Sequence, residues 1–119
     1  MSQNSPPERE KFVALPDELW ANLLEVLPGA AKGIETAIRL FSGEIIERLV
    51  ISNRGNIIGR EAAGLAGYHG TIDNSVLTFS TEDIEAVQVP AFHFWQRSRW
   101  VALNPQHPAR RSWEERTKQ

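Results

Sequence analysis

The hydrophobic pattern of residues 34–52, IETAIRLFSGEIIERLVIS, predicts a β-hairpin that closes at Ser42-Gly43. Strand-forming β-branched residues are dense in this stretch, and a serine–glycine pair between two apolar runs is typical of a two-residue turn. The predicted register gives one mostly apolar face, with these cross-strand pairs: Leu40 with Ile45, Ile38 with Glu47, Thr36 with Leu49, and Ile34 with Ile51. The other face carries four charges of alternating sign and can meet water.

A helical interpretation of the same stretch has to be weighed, because its apolar residues also recur near the 3.6-residue period. Gly33, the Ser42-Gly43 pair and the crowding of β-branched residues weigh against a helix and favour strands. Glu47 is the misfit of the strand interpretation, since an unpaired carboxylate on an apolar face is costly. We expect a bulge or a barrel mouth to accommodate it.

Residues 15–27 are predicted to form an amphipathic helix. Pro16 suits its first turn, and Asp17 and Glu18 suit the positive end of the helix dipole. Pro28-Gly29 ends it. The apolar stripe of this helix consists of Leu19, Trp20, Leu23, Leu24 and Leu27. A stripe of this width is typical of a helix that packs on a sheet, and a dimer contact through Trp20 is the alternative.

Further strands are predicted after the hairpin. A turn at residues 53–56 leads to a strand at 57–60, and strands at 76–79 and 84–89 flank a turn at 80–83. Residues 91–95 and 100–103 fit one more hairpin. The fold class is therefore α+β, with an N-terminal helix followed by a mainly antiparallel, strongly bent sheet of five to six strands or a small barrel.

The length of 119 residues and a hydrophobic content of 41% fit one compact core. We expect residues 1–11 to be disordered, residues 12–103 to form a single globular domain, and residues 104–119 to be a loop and a polar, basic tail. No apolar run approaches the ~20 residues that span a bilayer, and the N-terminal segment lacks the apolar stretch of a signal peptide. We therefore expect a soluble, cytoplasmic protein, which the lack of cysteine fits.

The charge of the chain is divided unevenly. Residues 1–89 hold seven Lys and Arg against 13 Asp and Glu, whereas residues 90–119 hold six against two. Half of the ten aromatic residues also lie in this basic last part, and tryptophan beside arginine is typical of interaction hot spots. The candidate binding residues there are Trp95, Arg97, Arg99, Trp100, Arg110, Arg111 and Trp113.

Residues 62–74 form a glycine-containing stretch that we expect to be a long loop. Long loops in compact domains often carry function, so Tyr68 and His69 are added to the candidate binding residues. The glycine spacing matches neither the dinucleotide-binding nor the P-loop pattern. A phosphate cradle is therefore not indicated.

Residues able to catalyse a reaction or to hold a metal are few and scattered. His69, His93 and His107 lie far apart, without the close spacing of metal ligands. The neighbouring acids Glu82 and Asp83 fit a solvated turn better than a catalytic pair. With no cysteine in the chain, we expect neither an enzyme nor a bound cofactor or metal.

The order of these elements resembles the small barrels of the Sm-like and SH3-like classes. The turn SGE at 42–44 is similar to the turn joining the first two strands of Sm-like proteins, and TEDIEAV at 81–87 resembles the short turn before a final barrel strand. The second strand of Sm-like proteins usually bends at a glycine, whereas this chain has Glu47 and Arg48 there, and the RNA-contacting residues of that family have no clear counterpart. The resemblance implies a strongly bent sheet, ring or dimer formation, and binding rather than catalysis.

These observations predict a non-enzymatic interaction module that binds a protein partner or a second copy of itself through its aromatic, basic C-terminal third. Binding of single-stranded nucleic acid, above all RNA, by the same residues is the alternative, although the acidic body of the chain argues against it. A third interpretation is that the aromatic residues simply complete the core.

Overall fold

The computed structural model describes residues 11–61, 72–91, 95 and 97–118. Two helices, α1 (Asp17–Val26) and α2 (Pro108–Arg116), accompany an antiparallel sheet. The strands of the sheet are β1 (Val13–Ala14), β2 (Ile34–Leu40), β3 (Ile45–Ile51), β4 (Asn56–Glu61), β5 (Ile72–Asp73), β6 (Ile84–Val89) and β7 (Arg99–Ala102). None of the described helices is long and apolar enough to cross a membrane.

The sheet runs in the order β1-β4-β3-β2-β6-β7, and β5 also pairs with β4. β1 and β5 pair with opposite ends of β4. The sheet is strongly curled and forms a half-barrel. The predicted α+β class with a strongly bent antiparallel sheet is confirmed, and the half-barrel is consistent with a small-barrel architecture.

Helix α1 is bounded much as predicted, and its apolar stripe closes over the curled sheet. Leu19 and Leu23 are fully buried, and Trp20, Leu24 and Leu27 pack against the edge of the core. The sheet contributes the largest buried side chains opposite the helix: Ile38, Leu49, Ile51, Ile57, Ile84 and Val87. Fully burying each such side chain contributes roughly 1.5–3 kcal/mol, which makes this interface the main source of stability.

Strands β2 and β3 form the predicted hairpin, so the helical alternative for this stretch is wrong. In the half away from the turn the register is as predicted, since Ile34 pairs with Ile51 and Thr36 with Leu49. Between these pairs and the turn, β3 contains a bulge at Glu47 and Arg48, where Arg48 has a φ of 62°. The bulge places Glu47 in solvent, so the carboxylate is accommodated by a bulge, one of the two expected solutions.

The bulge makes the predicted pairing nearest the turn wrong. Ile38 pairs with Ile46 rather than Glu47, and Arg39 rather than Leu40 pairs with Ile45. Because side chains alternate along a strand, this one-residue shift buries Ile46 and exposes Ile45, the reverse of the prediction.

The predicted strand at 76–79 is also wrong. The short strand β5 lies earlier, and a single turn of 3-10 helix follows at Asn74–Val76. Asp73 accepts hydrogen bonds from the Ser75 hydroxyl at 2.6 Å and the Ser75 N–H at 2.9 Å, which hold the pKa of Asp73 below its ordinary value. This local hydrogen bonding competes with a strand, while Leu77 and Phe79 are still buried from irregular backbone.

In the C-terminal third, the second strand of the predicted hairpin is present as β7, whereas part of the predicted tail is helical. β7 pairs with β6, with Val87 opposite Val101 and Val89 opposite Arg99. Of the predicted partner strand at 91–95, residues 92–94 lie outside the described residues. Residues 108–116, expected to be a polar tail, form α2, which begins with Pro108 and with the His107 side chain accepting from the Ala109 N–H. Proline at the first helical position and a side-chain cap both favour a helix start.

Candidate functional site

The described binding residues of the prediction lie mainly in two places. One group is packed between α2 and the sheet, and the other lines an open groove at the end of β6. In the first group, the ring of Trp113 stacks on Phe41 with centroids 6.0 Å apart. The Arg110 guanidinium lies over the same Phe41 ring at 5.2 Å, and the Arg39 guanidinium lies over Trp100 at 4.9 Å. We name these residues, together with Glu85, Asp83 and Arg116, the α2 clamp.

Glu85 is the centre of the α2 clamp. Its carboxylate accepts from Arg39 at 2.9 Å and from Arg110 at 3.0 Å, so it joins the sheet to α2. Partial burial of Glu85 acts to raise the pKa of its carboxyl group, but the two guanidinium groups outweigh burial and the pKa lies below its ordinary value.

A second ion pair fixes the far end of α2. Arg116 donates to Asp83 at 3.2 Å, and Asp83 also accepts from the Ser80 N–H at 2.9 Å. The Ser80 N–H is the largest cause that lowers the pKa of Asp83, and Arg116 adds to it against the effect of partial burial. Trp100, Arg110 and Trp113 are therefore held in contacts within the chain, and a binding role for them stays a prediction.

The open groove has a volume of about 640 Å³ and lies between the C-terminal end of α1 and the start of β7. It is lined by Val26, Leu27, Val89, Pro90, Ala91, Trp95, Arg97 and Arg99. Its floor is apolar and its rim carries two arginines. Among the described residues four large hydrophobic side chains are exposed, and two of them, Trp95 at 67% and Val26 at 44%, line this groove.

The two rim arginines differ from the other arginines of the C-terminal part. Arg97 and Arg99 are exposed and form no ion pair with any residue that the structure describes, whereas Arg110 and Arg116 are paired. Both arginines line the groove.

The remaining predicted residues lie elsewhere. Arg111 is exposed on α2, where it lines a separate small cavity with Gln106 and Glu115. Tyr68 and His69 lie outside the described residues. The structure thus brings Trp95, Arg97 and Arg99 together and leaves Arg111 apart.

Sequence reasoning missed the helix side of the groove. Leu27 belongs to the predicted stripe, and Val26 is the last residue of α1. Val26 follows Leu19 by seven residues and so lies on nearly the same side of the helix, which means that the 3.6-residue period alone does not identify it as exposed. The partners within the α2 clamp, Phe41 and Glu85, were missed because a distant helix contacts them, which no local pattern indicates.

Groups of three or more His, Asp or Glu side chains placed to hold a metal ion do not occur in the described part of the chain. No protein-family model, curated protein or solved structure matches the chain.

Proposed function

We propose that this protein is a non-enzymatic interaction module that binds a segment of a protein partner in the open groove. The observation that carries the proposal is the convergence of exposed Trp95 and Val26 with Arg97 and Arg99, which form no ion pair with a described residue, around one apolar floor. Exposed large apolar side chains grouped in a concave surface are typical of interaction sites, and tryptophan and arginine are the residues most enriched at binding hot spots.

The chemistry of the groove favours a particular partner segment. An aliphatic or aromatic side chain would occupy the apolar floor beside Leu27 and Pro90. Carboxylates next to that anchor would accept hydrogen bonds from the guanidinium groups of Arg97 and Arg99, which are planar donors suited to carboxylates. We therefore expect an acidic segment with one apolar anchor.

We also infer that the half-barrel belongs to the Sm-like and SH3-like class of small barrels, and that the protein works in the cytoplasm. The order of elements supports the first inference: a leading helix, a hairpin with a bent second strand, and a 3-10 turn at Thr81–Asp83 directly before β6. The lack of cysteine is consistent with the second. Barrels of this class serve binding more often than catalysis, which agrees with the proposed role.

The test is selection of peptides from a random displayed library on the immobilised 119-residue chain. We expect the selected peptides to lose binding by tenfold or more to the Val26→Asp variant, since a buried carboxylate against the apolar anchor is costly. The matched control is Ile45→Asp, because Ile45 is 49% exposed but lies at the hairpin turn, outside the groove lining. Fluorescence anisotropy with labelled peptides gives the affinities.

Two results would overturn the proposal. Selected peptides that bind Val26→Asp and Ile45→Asp equally would place the site elsewhere. A selection that yields no peptide, together with salt-dependent binding of a labelled single-stranded RNA that is lost in Arg97→Glu, would establish the nucleic-acid alternative, in which Trp95 stacks on a base.

A further inference from the structure

We propose that two copies of this chain pair through the free edge of β7, antiparallel and around a two-fold axis at Val101. β7 is the last strand of the sheet, and no strand that the structure describes pairs with its outer edge. A free edge presents backbone N–H and C=O groups that can pair with another strand. This contact goes beyond the groove-binding role, although it uses the same two rim arginines, Arg97 and Arg99.

The backbone N–H and C=O groups that point to the free edge can be deduced from the hydrogen bonds that β7 makes to β6. The Leu103 N–H donates to the Glu85 C=O at 2.9 Å, directly after the end of β7. Hydrogen-bonded pairs alternate with non-hydrogen-bonded pairs along an antiparallel ladder, so residues two and four positions before Leu103 also bond to β6. Trp100 and Ala102 therefore direct their N–H and C=O groups to the free edge.

With a two-fold axis at Val101, the outward N–H and C=O groups of Trp100 and Ala102 all form hydrogen bonds between the two copies. It places Trp100 of one copy opposite Ala102 of the other, and each such pair exchanges two hydrogen bonds. The same register sets a large indole opposite a methyl group on the outer face, so the two tryptophans do not compete for one space. The two half-barrels would then share one continuous sheet.

The charges at the two ends of the edge complement each other under this symmetry. Exposed Arg97 and Arg99 lie at its start. At its far end lies Glu18 of α1, whose carboxylate accepts from the Asn104 N–H at 2.9 Å and lies 3.9 Å from His107. The exposed Asp17 precedes Glu18 at the start of the same helix. Antiparallel pairing brings the start of one β7 to the end of the other, so the arginines of each copy meet the carboxylates of its partner.

Sedimentation velocity over a range of concentrations tests the proposal, with variants in which the charges at either end of the edge are reversed. We expect the wild-type chain to dimerise, and expect Arg97→Glu with Arg99→Glu to weaken the dimer by about tenfold or more, because carboxylates then face carboxylates. The variant Asp17→Lys with Glu18→Gln should weaken it similarly while keeping an acceptor for Asn104. A mixture of the two variants should recover a heterodimer.

The matched control for the arginine variant is Arg54→Glu with Arg111→Glu. These two arginines are exposed at the β3–β4 turn and on α2, so the same charge change should leave the dimer intact. Val26→Asp should also keep the dimer while it loses peptide binding, which separates a failure of this contact from a failure of the groove.

A wild-type chain that stays monomeric at high concentration would overturn the proposal, as would variants whose mixture is no more dimeric than either alone. Hydrogen exchange on the wild-type chain gives a second readout that needs no variant. The N–H groups of Trp100 and Ala102 should become protected as concentration rises. Fast exchange of both at every concentration would contradict the predicted register.

Discussion

Arg48 decides how the central hairpin is curved. Its φ of 62° lies in the left-handed region, which is unfavourable for a residue with a side chain. The bulge that contains Arg48 is also held by Arg60, whose guanidinium donates to the Glu47 C=O at 2.7 Å and 3.1 Å. A strained residue in a bulge thus bends β3 and sets which side chains face the core.

Because of this strain, two different substitutions of Arg48 should change the stability of the fold in opposite directions. We expect Arg48→Gly to be neutral or to stabilise the fold by up to about 1 kcal/mol, because glycine adopts positive φ without a steric penalty. Arg48→Val should destabilise it by about 1–2 kcal/mol, since a β-branched side chain is least compatible with that conformation. Urea denaturation measures both, and equal effects of the two substitutions would contradict the role given to the bulge.

Gly55 is constrained by both conformation and contact. Its φ is 81°, and a Cβ atom there would lie 2.9 Å from the ring of Trp20, which packs over the turn. We expect Gly55→Ala to cost about 2–4 kcal/mol through strain and overpacking.

Gly43 gives the matched control for Gly55. Its φ is 98°, but a Cβ atom there would have no neighbour within 4 Å. Gly43→Ala should therefore cost only the conformational part, about 1–2 kcal/mol. If thermal denaturation gives the same loss for both, the packing of Trp20 against Gly55 is not a stabilising contact.

At the scale of elements, α2 is attached mainly by charge and aromatic stacking. Its contacts to the half-barrel include Glu85, Asp83 and Phe41, Ala109 packs at the edge of the core, and no residue of α2 is fully buried. A helix held in this way depends on the ionisation of its partners. The half-barrel beneath it, by contrast, is held by a continuous apolar core.

Acid should therefore release α2 before the half-barrel unfolds. Glu85 and Asp83 have pKa values below the ordinary ones, so they stabilise α2 docking fully above the ordinary carboxyl pKa. This stabilisation is lost as pH falls below about 4. Near-ultraviolet circular dichroism, which reports the Phe41–Trp113 stack, should change in this range while the far-ultraviolet sheet signal persists.

Glu85→Gln should weaken α2 docking at neutral pH by about 1–3 kcal/mol, since it leaves Arg39 and Arg110 without their carboxylate. Glu82→Gln is the control, because Glu82 is exposed on the adjacent turn and pairs with no described side chain. Hydrogen exchange of the α2 amides measures docking. Equal protection in both variants would show that the α2 clamp does not hold the helix.

Elements with a strong local pattern could be predicted from the sequence. The stripe of α1, the Ser42-Gly43 turn and the apolar run of β6 each specify their own structure. The bulge was expected from Glu47, but its effect on Ile45 and Ile46 depends on the exact residue that is bulged. α2 could not be predicted from hydrophobicity, because its ion pairs and its Phe41–Trp113 stack join residues more than 20 positions apart in sequence.

At the scale of the whole molecule, the acidic body and the basic last part come together. Two of the six basic residues after position 89, Arg110 and Arg116, neutralise Glu85 and Asp83 on the body. Among the seven predicted binding residues of the last part, Trp100, Arg110 and Trp113 are thus held in contacts within the chain. A charge count along the chain cannot distinguish an arginine that faces a carboxylate from one that faces solvent. Arg97 and Arg99 belong to the second kind.

Fluorine NMR of the 119-residue chain carrying fluorotryptophan at its four tryptophans tests the groove most directly. A peptide obtained by display is titrated, and the Trp95 signal is assigned with Trp95→Phe. We predict that the Trp95 signal shifts on binding while those of Trp20 and Trp113, which pack against Gly55 and Phe41, stay in place. A bound peptide that shifts Trp20 or Trp113 and leaves Trp95 unchanged would contradict the proposed function.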